Sequence, residues 1–99
     1  SYGEIPSEPP VVVSFSLGEA YPNPFNPTTT MELTMSVAGY MNVEVYNLLG
    51  QSVSTLTSGY KDAGTYKLFW DAADIASGVY FVKAQTEGFT KIQKLMLIK

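Results

Sequence analysis

An all-β chain, folded as an immunoglobulin-like antiparallel β-sandwich of about seven strands, is what this sequence predicts. Three observations carry that expectation. Apolar residues recur at every second position in several short runs. Turn residues break those runs at intervals of roughly 8–12 residues. No segment shows a convincing helical period, and no internal repeat of solenoid or propeller length is visible.

Taken in order, residues 1–10 hold three prolines, two glutamates and few apolar residues, the composition of a tether. The division expected is therefore a Pro-rich linker over 1–14 and a folded domain over 15–99. A first, edge-like strand is expected over 11–17, with Val11, Val13, Phe15 and Leu17 on one parity. Gly18-Glu19-Ala20 then leads into Tyr21-Pro22-Asn23-Pro24-Phe25-Asn26-Pro27. Three prolines at close spacing remove three N–H donors and fix φ near −65°. They also push Tyr21, Asn23 and Asn26 toward extended geometry. A stiff, kinked ribbon follows, in which Tyr21 and Phe25 are expected to be packing anchors.

Beyond the ribbon the alternation is clear. Met31, Leu33, Met35 and Val37 share one face of a strand over 30–37, and Met41, Val43 and Val45 share one face of the next. Asn47 to Gln51 forms a turn that requires Gly50 at positive φ. Residues 52–57 read as a short polar strand held by Val53 and Leu56, whose three-residue spacing points to a bulge. Residues 58–64 read as a loop with two glycines. In 65–71, Tyr66, Leu68 and Trp70 point inward and Phe69 outward. Residues 72–78 connect, with room for one turn of helix. Tyr80, Val82 and Ala84 face inward on the strongest strand, and a turn at Gly88 leads to a last strand over 91–99. Parity slips between Ile92 and Leu95, so either Leu95/Leu97 or Met96/Ile98 is the inward pair.

Composition narrows the function. At 45% apolar and 13% aromatic the chain can fill a core, while 15% charged is low against the usual ~25%. Net charge is −3, with six lysines and no arginine, a poor basis for neutralising phosphates or reading bases, so no nucleic-acid partner is expected. No apolar run approaches the ~20 residues of a membrane-spanning helix, and no direct membrane insertion is expected. The opening residues carry no basic region followed by an apolar one, so a missing upstream context is expected. Without His or Cys, the commonest general base, the thiolate nucleophile and most transition-metal ligands are gone. No catalytic residue, cofactor site or metal site is expected. Asp71 and Asp74, with Asp62 and Glu44, can be drawn as an oxygen site for calcium, but Asp after a strand more often bonds its own loop. Exposed rings among the tyrosines and phenylalanines leave two further readings open. One is a carbohydrate-binding module that stacks on sugar rings; the other is a plain immunoglobulin-like spacer of a secreted glycan-active enzyme.

Five stretches in one order and spacing carry a family resemblance: Tyr21 to Thr29, Val43-Glu-Val-Tyr-Asn-Leu-Leu-Gly-Gln51, Gly64 through Trp70-Asp71, Ser77-Gly-Val-Tyr-Phe81, and Lys94-Leu95-Met96-Leu97-Ile98-Lys99. Together they resemble the C-terminal sorting domain, type A, of the type IX (Por) secretion system. Related modules of flagellar hook-capping proteins share the Trp-Asp and Gly-Val-Tyr pieces without the proline ribbon. The resemblance implies a non-catalytic signal at the end of a larger cargo protein. The partners implied are the upstream cargo domain, the type IX translocon and a sortase-like peptidase. The destination implied is the cell surface or the medium, through the periplasm. Later cleavage and joining of the cargo to a lipopolysaccharide are steps known in family members. Carried over, Tyr21 to Pro27 is the entrance motif, Lys94 to Lys99 is the terminal signal, and Gly50, Trp70, Gly78 and Tyr80 are structural. The chain departs from the family pattern at Ala20, where many members have Asn, and after Asp71, where Ala-Ala-Asp replaces a Gly-containing loop.

Overall fold

A computed structural model describes residues 15–99, and the expected linker over 1–14 lies outside the described residues. The described residues form seven strands: β1 (Phe15–Leu17), β2 (Thr28–Met35), β3 (Gly39–Tyr46), β4 (Ser52–Lys61), β5 (Gly64–Asp71), β6 (Gly78–Thr86) and β7 (Phe89–Leu97). Two antiparallel sheets result, one in the order β1-β2-β5 and the other β4-β3-β6-β7. This is the immunoglobulin-like sandwich that the alternation predicts.

The core is built from the inward parities. Met31, Leu33 and Met35 of β2 meet Met41, Val43 and Val45 of β3, with Leu68 and Trp70 of β5 and Tyr80, Val82 and Ala84 of β6. Leu95 and Leu97 complete it, which settles the open parity of β7: Met96 and Ile98 face outward. Each buried aliphatic side chain contributes roughly 1.5–3 kcal/mol through the water it sheds.

β4 is the least regular strand. Val43 pairs with Thr57 and Glu44 with Thr55, then Val45 pairs with Ser54 and Tyr46 with Ser52. The residues skipped are Leu56 and Val53. Both are therefore bulged, and both pack partly against the core.

Two expected connections differ. The loop placed over 58–64 is mostly strand, because β4 runs on to Lys61 and β5 begins at Gly64. Gly59 and Gly64 adopt positive φ at strand positions instead of forming a loop. Residues 72–77 make a turn closed by Ile75 N–H on the Ala72 carbonyl, and no helical turn forms. Elsewhere the turn residues behave as read. Gly50 has φ 82°, and the Asn47 side-chain oxygen accepts from the N–H groups of Leu49 and Gln51.

Candidate functional site: the junction of ribbon and terminal strand

The proline ribbon and the last strand, about 70 residues apart in sequence, lie side by side. β7 is an edge strand of its sheet. Its outer edge is taken up by the ribbon over Lys94 to Ile98. Phe25 N–H donates to the Met96 carbonyl at 2.9 Å, and Ile98 N–H donates to the Phe25 carbonyl at 2.9 Å. This makes a parallel bridge between Phe25 and Leu97. One step earlier the Asn23 side chain substitutes for backbone. Its Nδ2 donates to the Lys94 carbonyl at 2.9 Å, and its Oδ1 accepts from Met96 N–H at 3.0 Å. Prolines on both sides of Asn23 cannot donate to a ladder, so the primary amide supplies the pairing that the ribbon backbone lacks.

Gln93 reciprocates from the other side. Its Nε2 donates to the Gly18 carbonyl at 3.1 Å, and its Oε1 accepts from Ala20 N–H at 2.6 Å. Gln93 stands on the inward parity of β7, two residues before the buried Leu95, where the entrance segment crosses the mouth of the sandwich. A polar residue at an inward position is what breaks the alternation in the sequence. That same break is the signal by which its role could have been found.

The ribbon is also fixed to the first sheet. Tyr21 exchanges backbone hydrogen bonds with Thr30, and the buried Thr29 hydroxyl donates to the Pro22 carbonyl at 2.7 Å. Ala72 N–H donates to the Pro27 carbonyl at 2.9 Å. The ribbon thus closes the open side of the sandwich between the β1–β2 edge and β7. The peptide bonds before Pro22, Pro24 and Pro27 are all cis.

Phe25 is the anchor the sequence predicts. It is 2% exposed and meets Trp70 with ring centroids 5.4 Å apart. Trp70 in turn packs edge-on against Tyr80 at 5.6 Å, and the Tyr80 hydroxyl donates to the Ala76 carbonyl. Tyr21 is not an anchor: it is 82% exposed, because its backbone pairs with Thr30 while its ring projects outward. Pro22, Pro24 and Asn26 are exposed and Pro27 is half-buried. Of the terminal residues, Leu95 and Leu97 belong to the core, whereas Lys94, Met96, Ile98 and Lys99 face solvent. The Lys99 ammonium donates to the Ala73 carbonyl at 2.6 Å. Gly78 opens β6 opposite Leu97. The outer edge of the terminal strand is thus already occupied from Lys94 onward.

The other chemistries weighed in the sequence find little geometry. Asp71 accepts from Ala73 N–H at 3.0 Å, a local turn contact. No group of three or more acidic residues among the described residues could hold a metal ion. The exposed Tyr40 and Tyr60 rings meet edge-on at 77°, not in the common plane a sugar-stacking platform needs. No helix among the described residues is long and apolar enough to cross a membrane.

The family model described as a secretion system C-terminal sorting domain matches residues 19–99. No curated protein sequence matches the chain. Among solved structures, the dimeric latent PorU of Porphyromonas gingivalis is similar in fold, with a TM-score of 0.66 at 15% identity. That likeness covers 88% of this chain and 10% of the PorU chain, so this chain spans about a tenth of that protein's length.

Proposed function

This chain belongs to the family of secretion-system C-terminal sorting domains, those of type IX secretion, and from that premise we propose that the ribbon and the terminal strand act as one recognition unit. The observation that carries this reading is the pairing of Asn23 and Phe25 with Lys94, Met96 and Ile98. A terminal signal read as a loose tail would require no partner within the domain. Here the exposed Lys94, Met96 and Ile98 are held in register by the entrance motif, and a machine that reads them reads the folded domain. Holding a recognition surface rigid before binding lowers the ordering cost of association.

In this reading the domain, 15–99, is an address and takes no part in catalysis. The cargo lies upstream of the linker, 1–14. The translocon reads the address, a sortase-like peptidase acts on the linker side, and the cargo reaches the cell surface or the medium by way of the periplasm. The experiment fuses the 99-residue chain to a reporter carrying an inner-membrane export signal in a type IX host. Removing Ile98 and Lys99 leaves the core residues Leu95 and Leu97 in place. Reporter retained in the periplasm, with the purified domain still folded, is the expected result. Undiminished export would overturn the terminal-signal role.

A further inference from the structure

The two outer faces of the sandwich differ in kind. On the three-stranded sheet, β2 presents Thr28, Thr30, Glu32 and Thr34, and β5 presents Thr65, Lys67 and Asp71, with Phe69 the one large apolar residue. That is the polar coat of a sheet with one wet face. The four-stranded sheet is instead apolar at its β6–β7 end. Register sets Tyr46 beside Phe81, and Phe81 beside Lys94. Lys83 stands beside Ile92, and Val79 beside Met96. Ile92 is 62% exposed, and Leu48 on the turn after β3 is 69% exposed. The half-buried Tyr46 and Phe81 floor a groove of ≈ 490 Å³ between Leu48 and Ile92, with Lys83 at its margin.

Charge marks the same face. Its outward parity carries Lys83 and Lys94, whereas Lys91 pairs with the buried Ala84 on the inward parity and the Lys99 ammonium bonds the Ala73 carbonyl. The one acid beside Lys83 on this face, Glu44, is engaged by the Tyr46 hydroxyl. An apolar floor with a charged rim is the anatomy of a protein interface.

We propose that the outer face of β6–β7, together with the Leu48 turn, is a docking surface for a protein partner that inserts an apolar side chain between Leu48 and Ile92 and surrounds it with acidic groups. This rests on the sorting reading and names the surface through which the partner engages the domain. Charge complementarity selects the partner's sign, because like charges across an interface oppose binding. The same lysines disfavour a second copy of this chain. A concave floor suits a protruding side chain better than the flat boundary of a lipid surface.

The test uses the reporter fusion of the 99-residue chain with two separate changes, Leu48→Asn/Ile92→Asn and Lys83→Glu. All three residues lie outside the terminal segment removed in the preceding experiment. Each variant is expected to lower export about tenfold, the loss that accompanies removal of an interface hot spot. The purified variants are expected to melt within about 2 °C of the native chain. Should the double variant melt lower, Lys83→Glu alone decides. Unchanged export in the folded variants, with the native fusion exported, would overturn the docking face and leave the sorting function intact. A native fusion that is not exported at all would instead overturn the sorting reading. Sedimentation of the native chain with phosphatidylglycerol vesicles, abolished by the same changes, would reassign the face to a membrane and overturn a protein partner. A concentration-dependent dimer lost in the double variant would reassign the face to a second copy and overturn the acidic partner in the same way.

Discussion

Phe25 lies against the indole of Trp70 at 5.4 Å between centroids, tilted by 48°. One residue comes from a segment outside the regular strands and the other from β5. The ring therefore does what a strand residue normally does, filling the core from a stretch whose prolines keep it from being a strand. Replacing Phe25 by Ala removes a fully buried ring and leaves a cavity beside Trp70. A loss of about 3–5 kcal/mol is expected in denaturant unfolding. A loss below about 0.5 kcal/mol, the range of an ordinary surface substitution, would mean that the ribbon does not anchor the domain.

Asn23→Ala separates pairing from packing. The side chain is exposed and its two hydrogen bonds go to the backbone of β7, so the expected cost is about 1–2 kcal/mol. Hydrogen exchange gives the sharper readout. The Met96 amide, which faces the ribbon, should lose protection. Those of Leu95 and Leu97 face β6, since successive strand residues alternate sides, and should keep it. Equal loss at all three would show general fraying of β7 instead of a local contact.

Gln93→Leu should destabilise despite adding apolar surface. It strips a partner from the N–H of Ala20, a residue only 6% exposed, and from the Gly18 carbonyl. A cost of about 1–3 kcal/mol follows if the groups stay unpaired. Gln93→Glu keeps an acceptor for Ala20 N–H but no donor for Gly18, and its unfolding midpoint should fall between native and Leu. A Leu variant as stable as the native chain would remove Gln93 from the closure.

Most of the frame is legible in the sequence because period-2 alternation maps directly onto burial: Met31/Leu33/Met35 and Met41/Val43/Val45 lie where alternation puts them. The bulges at Val53 and Leu56 are legible too, since three-residue spacing cannot keep both side chains inward without an extra residue. Tyr21 is not, because ribbon aromatics look equivalent in sequence, and only the pairing of Tyr21 with Thr30 turns its ring outward. The strand through 58–61 is hidden by Gly59, which ordinarily signals a turn. The amide bonds of Asn23 and Gln93 join residues more than 70 apart, and no local pattern encodes such a contact.

Glu44 and Tyr46 give a pH signature on the outer face. The Tyr46 hydroxyl bonds the Glu44 carboxylate and, opposed by desolvation and helped by Asn42, Thr55 and Lys83, holds the acid below its ordinary value; the same bond raises the phenol. For an acid depressed on folding, the stabilisation is present above the unfolded value and is lost as pH falls through the folded one. For the raised phenol, it is present below the unfolded value and lost as pH rises through the folded one. In Tyr46→Phe the Glu44 carboxyl resonance should titrate at higher pH than in the native chain. An unmoved titration would exclude the hydroxyl as the cause.

The bridge between Phe25 and Leu97 is parallel, and this sets how the domain bears load. The ribbon runs from the entrance of the chain and β7 runs to its exit, so tension between the two ends slides them past each other along a common axis. The four hydrogen bonds between Asn23 or Phe25 and the stretch from Lys94 to Ile98 are then strained in shear, all together. A seam peeled from its end would instead lose its bonds singly, in succession. Tension applied across this seam therefore meets the domain in its mechanically stronger direction.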